Sequence, residues 1–200
     1  MVRYGMVIDL KKCIGCGSCA VACKIENGTP PGVFWCRIVW QEVGKFPNVT
    51  RNAYPVNCMH CEEPSCVKVC PTGASQKQEN GVVTIDKEKC MGCGACIVAC
   101  PYGVRFMVDK IRPYYTKEFT PYEKMMMPKH TQGVVEKCDF CSERRKNNMQ
   151  PACVEVCPTG ARYFGDLDDP NSDVSRLLRI RIAFQLRAEM GTSPKVYYVS

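Results

Sequence analysis

The chain has 200 residues, 17 of them cysteine, and 27 Lys and Arg against 20 Asp and Glu give it a formal net charge of +7. That length makes one large domain or two small ones, and this cysteine density points to a disulfide scaffold, zinc sites or iron–sulfur clusters. The start, Met1 to Asp9, has no apolar stretch with a cleavage site, and an odd cysteine count suits a fully paired scaffold poorly, which disfavours disulfides. No run approaches the roughly 18 apolar residues of a membrane span.

In chain order, residues 4–9 read as a short strand, followed by a first motif, A, with Cys13, Cys16, Cys19 and Cys23. Segment 25–54, containing Pro30-Pro31-Gly32, is an insertion. Motif B holds Cys58, Cys61, Cys66 and Cys70, the last followed by Pro71. A short strand over 82–86 leads into motif A′, with Cys90, Cys93, Cys96 and Cys100 followed by Pro101. Segment 106–137, rich in Tyr, Lys, Met and Pro, is a second insertion, which suits a loop laid on a partner and a connector packed on its own chain equally well. Motif B′ has Cys138 and Cys141, then a gap of eleven residues, then Cys153 and Cys157 followed by Pro158. A helix is expected over 174–190, and Arg176, Arg179, Arg181 and Arg187 exclude it as a membrane span.

The motifs form an internal repeat. Segments 9–23 and 86–100 are identical at ten of fifteen positions, and 64–74 and 151–161 at nine of eleven. Motif A′ has the spacing C-x2-C-x2-C-x3-C-P of bacterial ferredoxins, and motif A has it without the proline. Two-residue gaps let a tight loop wrap three thiolates around one corner of a cubane. The glycines at 15, 17, 92 and 94 suit that wrapping. The fourth cysteine falls about one helical turn beyond the third, so it faces away from the first cluster and reaches another. Short helices are expected to carry these fourth cysteines, and the following prolines end them. Each oxidised [4Fe–4S] core with four thiolates carries roughly −2, so four sites add about −8 and bring the net charge near −1. The Lys and Arg excess is therefore read as compensation for cluster charge, and nucleic-acid binding is set aside.

Zinc ribbons also use C-x2-C pairs, but a tetrahedral zinc has no need of a third close cysteine and C-P. Cys36 belongs to no motif and reads as a small buried hydrophobe. His60 reads as an outer neighbour of a cluster or a surface residue, and His130 carries no signal. Trp35 and Trp40 read as core or partner contacts. Arg144, Arg145 and Lys146 either raise the potential of a nearby cluster or face solvent. No nucleophile elbow, P-loop or dinucleotide fingerprint is present, so no catalytic residue is assigned.

The four motifs in this order, with GARYFGDLDDP at 160–170 and the strings IDLKKCIGC, ACKIEN, PPGVF and GTSPKVYY, resemble the iron–sulfur subunits of dimethyl sulfoxide reductase-type molybdoenzymes. Among these the chain is most similar to the electron-transfer subunits of polysulfide, thiosulfate and arsenate reductases. The resemblance implies an α+β fold of two ferredoxin-like domains, one nested within the other. Residues 1–24 with 138–165 would form the outer domain and 55–105 the inner. Segments 25–54 and 106–137 would be insertions and 166–200 a C-terminal extension. It also implies four [4Fe–4S] clusters. Their ligands would be Cys13, Cys16, Cys19 and Cys157; Cys23, Cys138, Cys141 and Cys153; Cys58, Cys61, Cys66 and Cys100; and Cys70, Cys90, Cys93 and Cys96. No pterin is expected in this chain.

The implied partners are a large molybdenum- or tungsten-pterin catalytic subunit and a membrane subunit that oxidises quinol. The implied location is the periplasmic side of the cytoplasmic membrane, reached by co-export with the catalytic subunit, with a cytoplasmic complex as the alternative. A polyferredoxin serving a hydrogenase or a formate-linked complex, and a zinc-organised interaction scaffold, are the competing functions.

Overall fold

The computed structural model describes residues 2–115 and 117–200. The chain begins with strand β1 (Tyr4–Asp9) and helix α1 (Ser18–Asn27), followed by a long hairpin of β2 (Cys36–Lys45) and β3 (Asn48–Asn57). Next come α2 (Ser65–Lys68), the short pair β4 (Ser75–Lys77) and β5 (Val83–Ile85), and α3 (Ala95–Val98). Strand β6 (Phe106–Met107), α4 (Pro121–Met126) and β7 (Val135–Glu136) follow, then α5 (Ser142–Lys146) and α6 (Ala152–Glu155). The chain ends with β8 (Arg162–Asp166), α7 (Asp173–Ile180), β9 (Ala183–Phe184) and β10 (Val196–Val199). The result is a mixed α/β protein in which short hairpins and one-turn helices alternate.

The largest sheet has the order β8-β1-β10-β9. Strand β1 runs antiparallel to β8, with Met6 opposite Phe164, and parallel to β10, with Met6 opposite Val196. Met6, Val7 and Ile8 are all fully buried, because β1 is central and covered on both faces. Strand alternation divides them. Met6 and Ile8 pack with Val196, Tyr198 and the cysteines Cys19, Cys23, Cys138 and Cys153. Val7 points the other way, onto Val199 and Val174, and Leu177 of α7 packs against that cluster. Helix α7 starts at Ser172, whose hydroxyl accepts the Ser175 N–H at 3.2 Å. The sheet therefore has a cysteine-rich face and a helix-covered face.

Sequence and structure part in three places. The expected helix over 174–190 stops at Ile180. Arg181 takes an extended conformation, and Ala183–Phe184 pairs with Tyr198 and Val199 instead. Arg181 also lies 3.6 Å from the buried carboxylate of Asp9, so it is tied to the sheet. The insertion over 25–54 holds most of a ten-residue-per-strand hairpin, registered from Cys36 opposite Asn57 to Lys45 opposite Asn48. Finally, α2, α3 and α6 carry the third cysteine of their motifs, and the fourth lies just beyond the helix. Residues before proline disfavour the α conformation, and Cys70, Cys100 and Cys157 all precede proline. Motif A has Lys24 in place of that proline, and α1 runs on through Cys23 to Asn27.

The central position of β1 makes its cost of truncation calculable. Ile8→Ala is expected to destabilise the protein by about 2–5 kcal/mol. Val43→Ala, on the half-exposed hairpin, is expected to change stability by less than about 0.5 kcal/mol. Anaerobic urea unfolding followed by circular dichroism measures both, and equal midpoints would remove β1 from the centre of the core.

Candidate metal centres

Both A motifs start from the same device. Asp9 Oδ1 accepts the N–H groups of Lys11 at 3.0 Å and Lys12 at 3.3 Å. The equivalent Asp86 Oδ1 accepts those of Glu88 at 3.1 Å and Lys89 at 3.3 Å. Each aspartate folds the chain sharply at a strand end and delivers it into the cysteine loop. The B motifs share a different device, the turn after C-P. There the Ser75 N–H donates to Cys70 Sγ at 3.4 Å, and the Ala161 N–H to Cys157 Sγ at 3.2 Å. Burial works against ionisation of these two thiols, but the hydrogen bonds outweigh it and hold both below the ordinary thiol range.

The motifs bring cysteines together three plus one. Cys58, Cys61 and Cys66 of motif B share a cavity of about 330 Å³ with Cys100 of motif A′. Cys90, Cys93 and Cys96 of motif A′ share one of about 320 Å³ with Cys70 of motif B. Cys138, Cys141 and Cys153 of motif B′ share one of about 290 Å³ with Cys23 of motif A. Cys13 adjoins Cys19 and Cys157, while Cys16 is exposed with its sulfur 3.3 Å from Ser18 Oγ. Among the described residues no three His, Cys, Asp or Glu side chains converge tightly enough for a single metal ion. The cavities are similar in volume and each is walled by four motif thiols, with Cys36 a fifth at the Cys23 cavity, which suits a multi-atom group.

Buried polar atoms around the cavities fit such a group. Trp35 Nε1, His60 Nε2 and Arg162 Nε are buried donors with no partner among the described residues. Trp35 lines the Cys23 cavity and His60 the Cys58 cavity. His60 Nδ1 accepts the Val83 N–H at 3.0 Å, so Nε2 carries the proton of the neutral ring. An unpartnered buried donor is costly, and sulfur of an iron–sulfur cluster is an acceptor that answers it. Arg105 is also buried, with Nη2 donating to Cys66 Sγ at 2.9 Å and Nη1 to Ser75 Oγ at 2.9 Å. Burial pushes the thiols of Cys61 and Cys141 up to about 12. Cys19 goes the other way, to about 6. The neighbouring Cys36 thiol and the Arg162 guanidinium together outweigh burial.

The residues outside the motifs have definite places. Cys36 is buried and lines the Cys23 cavity. His130, expected to carry no signal, is buried between Glu136 Oε2 at 2.7 Å and the Asn27 carbonyl at 3.0 Å, tying the second insertion to α1. Trp40 is partly exposed on the hairpin with the Arg51 guanidinium 4.1 Å from its ring centroid. Arg144 pairs with Glu26 at 3.0 Å and with Glu155, and Arg145 donates to the carbonyls of Phe140 at 2.9 Å and Asp139 at 3.1 Å. These two arginines brace the long gap of motif B′, and Lys146 pairs with Glu143 on the surface. Sequence reasoning missed Arg105, Arg162 and Lys137, since isolated basic residues give no sign of burial. Asn57, which holds Arg162, was missed for the same reason.

The 4Fe–4S dicluster domain matches residues 12–74 in one form and residues 49–115 and 109–167 in another. The chain is 44% identical to a selenate reductase subunit of Mesobacillus selenatarsenatis, over 100% of this chain and 72% of the relative. It is 40% identical to the arsenate respiratory reductase iron–sulfur subunit ArrB of Shewanella sp., over 99% of this chain and 96% of the relative. It is also 40% identical to a tetrathionate reductase subunit of Salmonella typhimurium, over 98% of this chain and 72% of the relative. Fold and site thus define a ferredoxin-like carrier of [4Fe–4S] clusters. The chain belongs to the iron–sulfur subunits of dimethyl sulfoxide reductase-type molybdoenzymes, and its role is electron transfer.

The motif glycines can be separated by experiment. Gly92 and Gly94 both have positive φ, but a Cβ on Gly92 would lie 2.1 Å from the Gly133 carbonyl oxygen, whereas one on Gly94 meets nothing within 4 Å. Gly94→Ala therefore bears only left-handed strain of about 1–3 kcal/mol. Gly92→Ala must also move backbone. Iron per chain after anaerobic purification is expected to fall clearly in Gly92→Ala and little in Gly94→Ala. The reverse order would contradict the loop geometry.

Proposed function

We propose that the chain carries four [4Fe–4S] clusters as a wire to a molybdenum- or tungsten-pterin catalytic subunit of a respiratory oxidoreductase of the sulfur-compound or arsenate reductase type. The observation that carries this reading is the three-plus-one grouping of thiols from paired motifs in three cavities of similar volume. The ligand sets are Cys13, Cys16, Cys19 and Cys157; Cys23, Cys138, Cys141 and Cys153; Cys58, Cys61, Cys66 and Cys100; and Cys70, Cys90, Cys93 and Cys96. Bound clusters supply reversible one-electron chemistry. The chain's own residues supply thiolates, N–H donors and buried positive charge. The names of the relatives, reductases of selenate, arsenate and tetrathionate, support oxyanion reduction as the partner's chemistry.

In the same reading the domains are nested. Residues 1–24 with 138–165 form the outer one, which the pairing of β1 with β8 supports. Residues 55–105 form the inner one, supported by the β4–β5 hairpin and the contacts of α2 with α3. The insertions are 25–54 and 106–137. The extension 166–200 adds β9 and β10 to the outer sheet. The hairpin exposes Val43, Phe46 and Val49, which suits contact with another subunit. Among the described residues no helix is long and apolar enough to cross a membrane. A quinol-oxidising membrane subunit is the donor in this reading. The complex would work on the periplasmic side, exported with the catalytic subunit.

Anaerobic purification of the tagged chain from its host, with metal analysis, tests the whole reading. Iron at about 16 per chain, together with molybdenum or tungsten and a large co-eluting polypeptide, is the expected outcome. Iron alone would leave a polyferredoxin, and zinc without iron would overturn the clusters. Cys93→Ser is expected to disturb one cluster, with a loss of up to about a quarter of the iron, while Cys36→Ser leaves the iron content unchanged.

A further inference from the structure

Arg162, at the start of β8, is buried. Its Nη2 donates to Asn57 Oδ1 at 2.7 Å and approaches Met6 Sδ at 3.1 Å, its Nη1 lies 3.9 Å from Cys36 Sγ, and its Nε has no partner among the described residues. The groups that face it are the sulfurs of Cys153, Cys36 and Cys19 and the Tyr198 hydroxyl, none of them a carboxylate. Its three contacts, Met6, Cys36 and Asn57, all line the cavity of Cys23, Cys138, Cys141 and Cys153, and Cys19 packs with Met6, Cys36 and Cys153 in the same buried cluster. Cys19 and Cys153 belong to different four-thiol sets, so one guanidinium sits between two centres.

A guanidinium stays protonated in a protein, and a buried charge without an opposite charge is strongly disfavoured. Among the described residues no carboxylate pairs with it, so the opposite charge has to come from the centres at Cys19 and Cys153.

We propose that Arg162 is a shared counter-charge for the cluster of Cys13, Cys16, Cys19 and Cys157 and the cluster of Cys23, Cys138, Cys141 and Cys153. It raises the reduction potentials of both. The inference rests on the cysteine assignment proposed above. The sign follows from charge. One-electron reduction adds one negative charge to a cluster, and a fixed neighbouring cation favours the more negative form. Removing the cation therefore lowers both potentials.

The test is a redox titration of the purified complex followed by EPR, with signals assigned through Cys16→Ser and Cys141→Ser. Arg162→Gln is expected to lower two midpoints by about 59 mV or more, a tenfold shift in the reduced-to-oxidised ratio for one electron. The other two clusters should stay in place. Arg162→Lys keeps the charge and should restore both midpoints. Unmoved midpoints, a change in only one cluster for Arg162→Gln, or an equal change in all four would overturn the proposal while the assignment stands. Should Arg162→Gln lose iron, Arg162→Lys decides, and wild-type midpoints kept there only by the two distant clusters would overturn the proposal. Failure of Cys16→Ser and Cys141→Ser to affect separate signals would instead overturn the assignment.

Discussion

The structure is organised around the burial of negative charge. A [4Fe–4S] core with four thiolates brings roughly two negative charges into the interior. A charge in low dielectric costs several kcal/mol unless opposite charge and hydrogen bonds meet it. The chain answers in two ways. Backbone N–H groups converge on sulfur, as at Cys70 and Cys157. Buried cations also stand beside cysteines: Arg105 at Cys66, Arg162 near Cys19 and Cys153, and Lys137, whose ammonium donates to the Cys138 carbonyl at 2.8 Å and to that of Val83. Buried acids are kept away from the thiols by their own partners. Glu136 is held by Lys87 at 2.6 Å and His130, and Asp9 by two backbone N–H groups and Arg181.

The duplication explains why a short chain can do this several times. One aspartate turn opens each A motif and one C-P turn closes each B motif, so two local solutions serve the whole molecule. The copies differ where packing differs. Motif A lacks the proline and extends into α1, which then packs on α6 and lets His130 reach the Asn27 carbonyl. Gly15 lies under the ring of Trp40, whereas the equivalent Gly92 lies under the carbonyl of Gly133. The first loop is thus buttressed by the hairpin and the third by the second insertion. Insertions that look dispensable in sequence supply the walls against which the cysteine loops are set.

What could be read in the sequence was what depends on local spacing. The strand Tyr4–Asp9, the iron–sulfur chemistry and the glycine-rich turns all follow from residues close in the chain. The hairpin of Cys36–Lys45 with Asn48–Asn57 was less legible, because its strands are largely exposed and polar and carry little alternation. The end of α7 at Ile180 was not legible either. Arg181, Ile182 and Ala183 could continue a helix, and only pairing with β10, more than ten residues downstream, draws Ala183 and Phe184 into a strand. Cys36 shows the same limit in the site. Its burial agrees with the reading of a small hydrophobe, but its place in the wall of the Cys23 cavity arises from the start of a hairpin folding back on α1.

Folding and metal content are coupled by the same arrangement. The core around Met6, Ile8, Val196 and Tyr198 includes Cys19, Cys23, Cys58, Cys138 and Cys153, so a large part of what would be apolar packing is cavity wall. Without clusters, these cavities would leave unpartnered donors at Trp35, His60 and Arg162, each costing on the order of 1–3 kcal/mol. That sum is comparable with the stability of a whole domain. Burial also holds thiols such as Cys61 and Cys141 near 12, so they resist ionisation unless metal takes the proton's place. A sequence that sets aside so much interior for metal has its folded state written for the loaded protein. The clusters are then part of the core, and the same buried cations that make them tolerable inside the protein bias them toward accepting an electron.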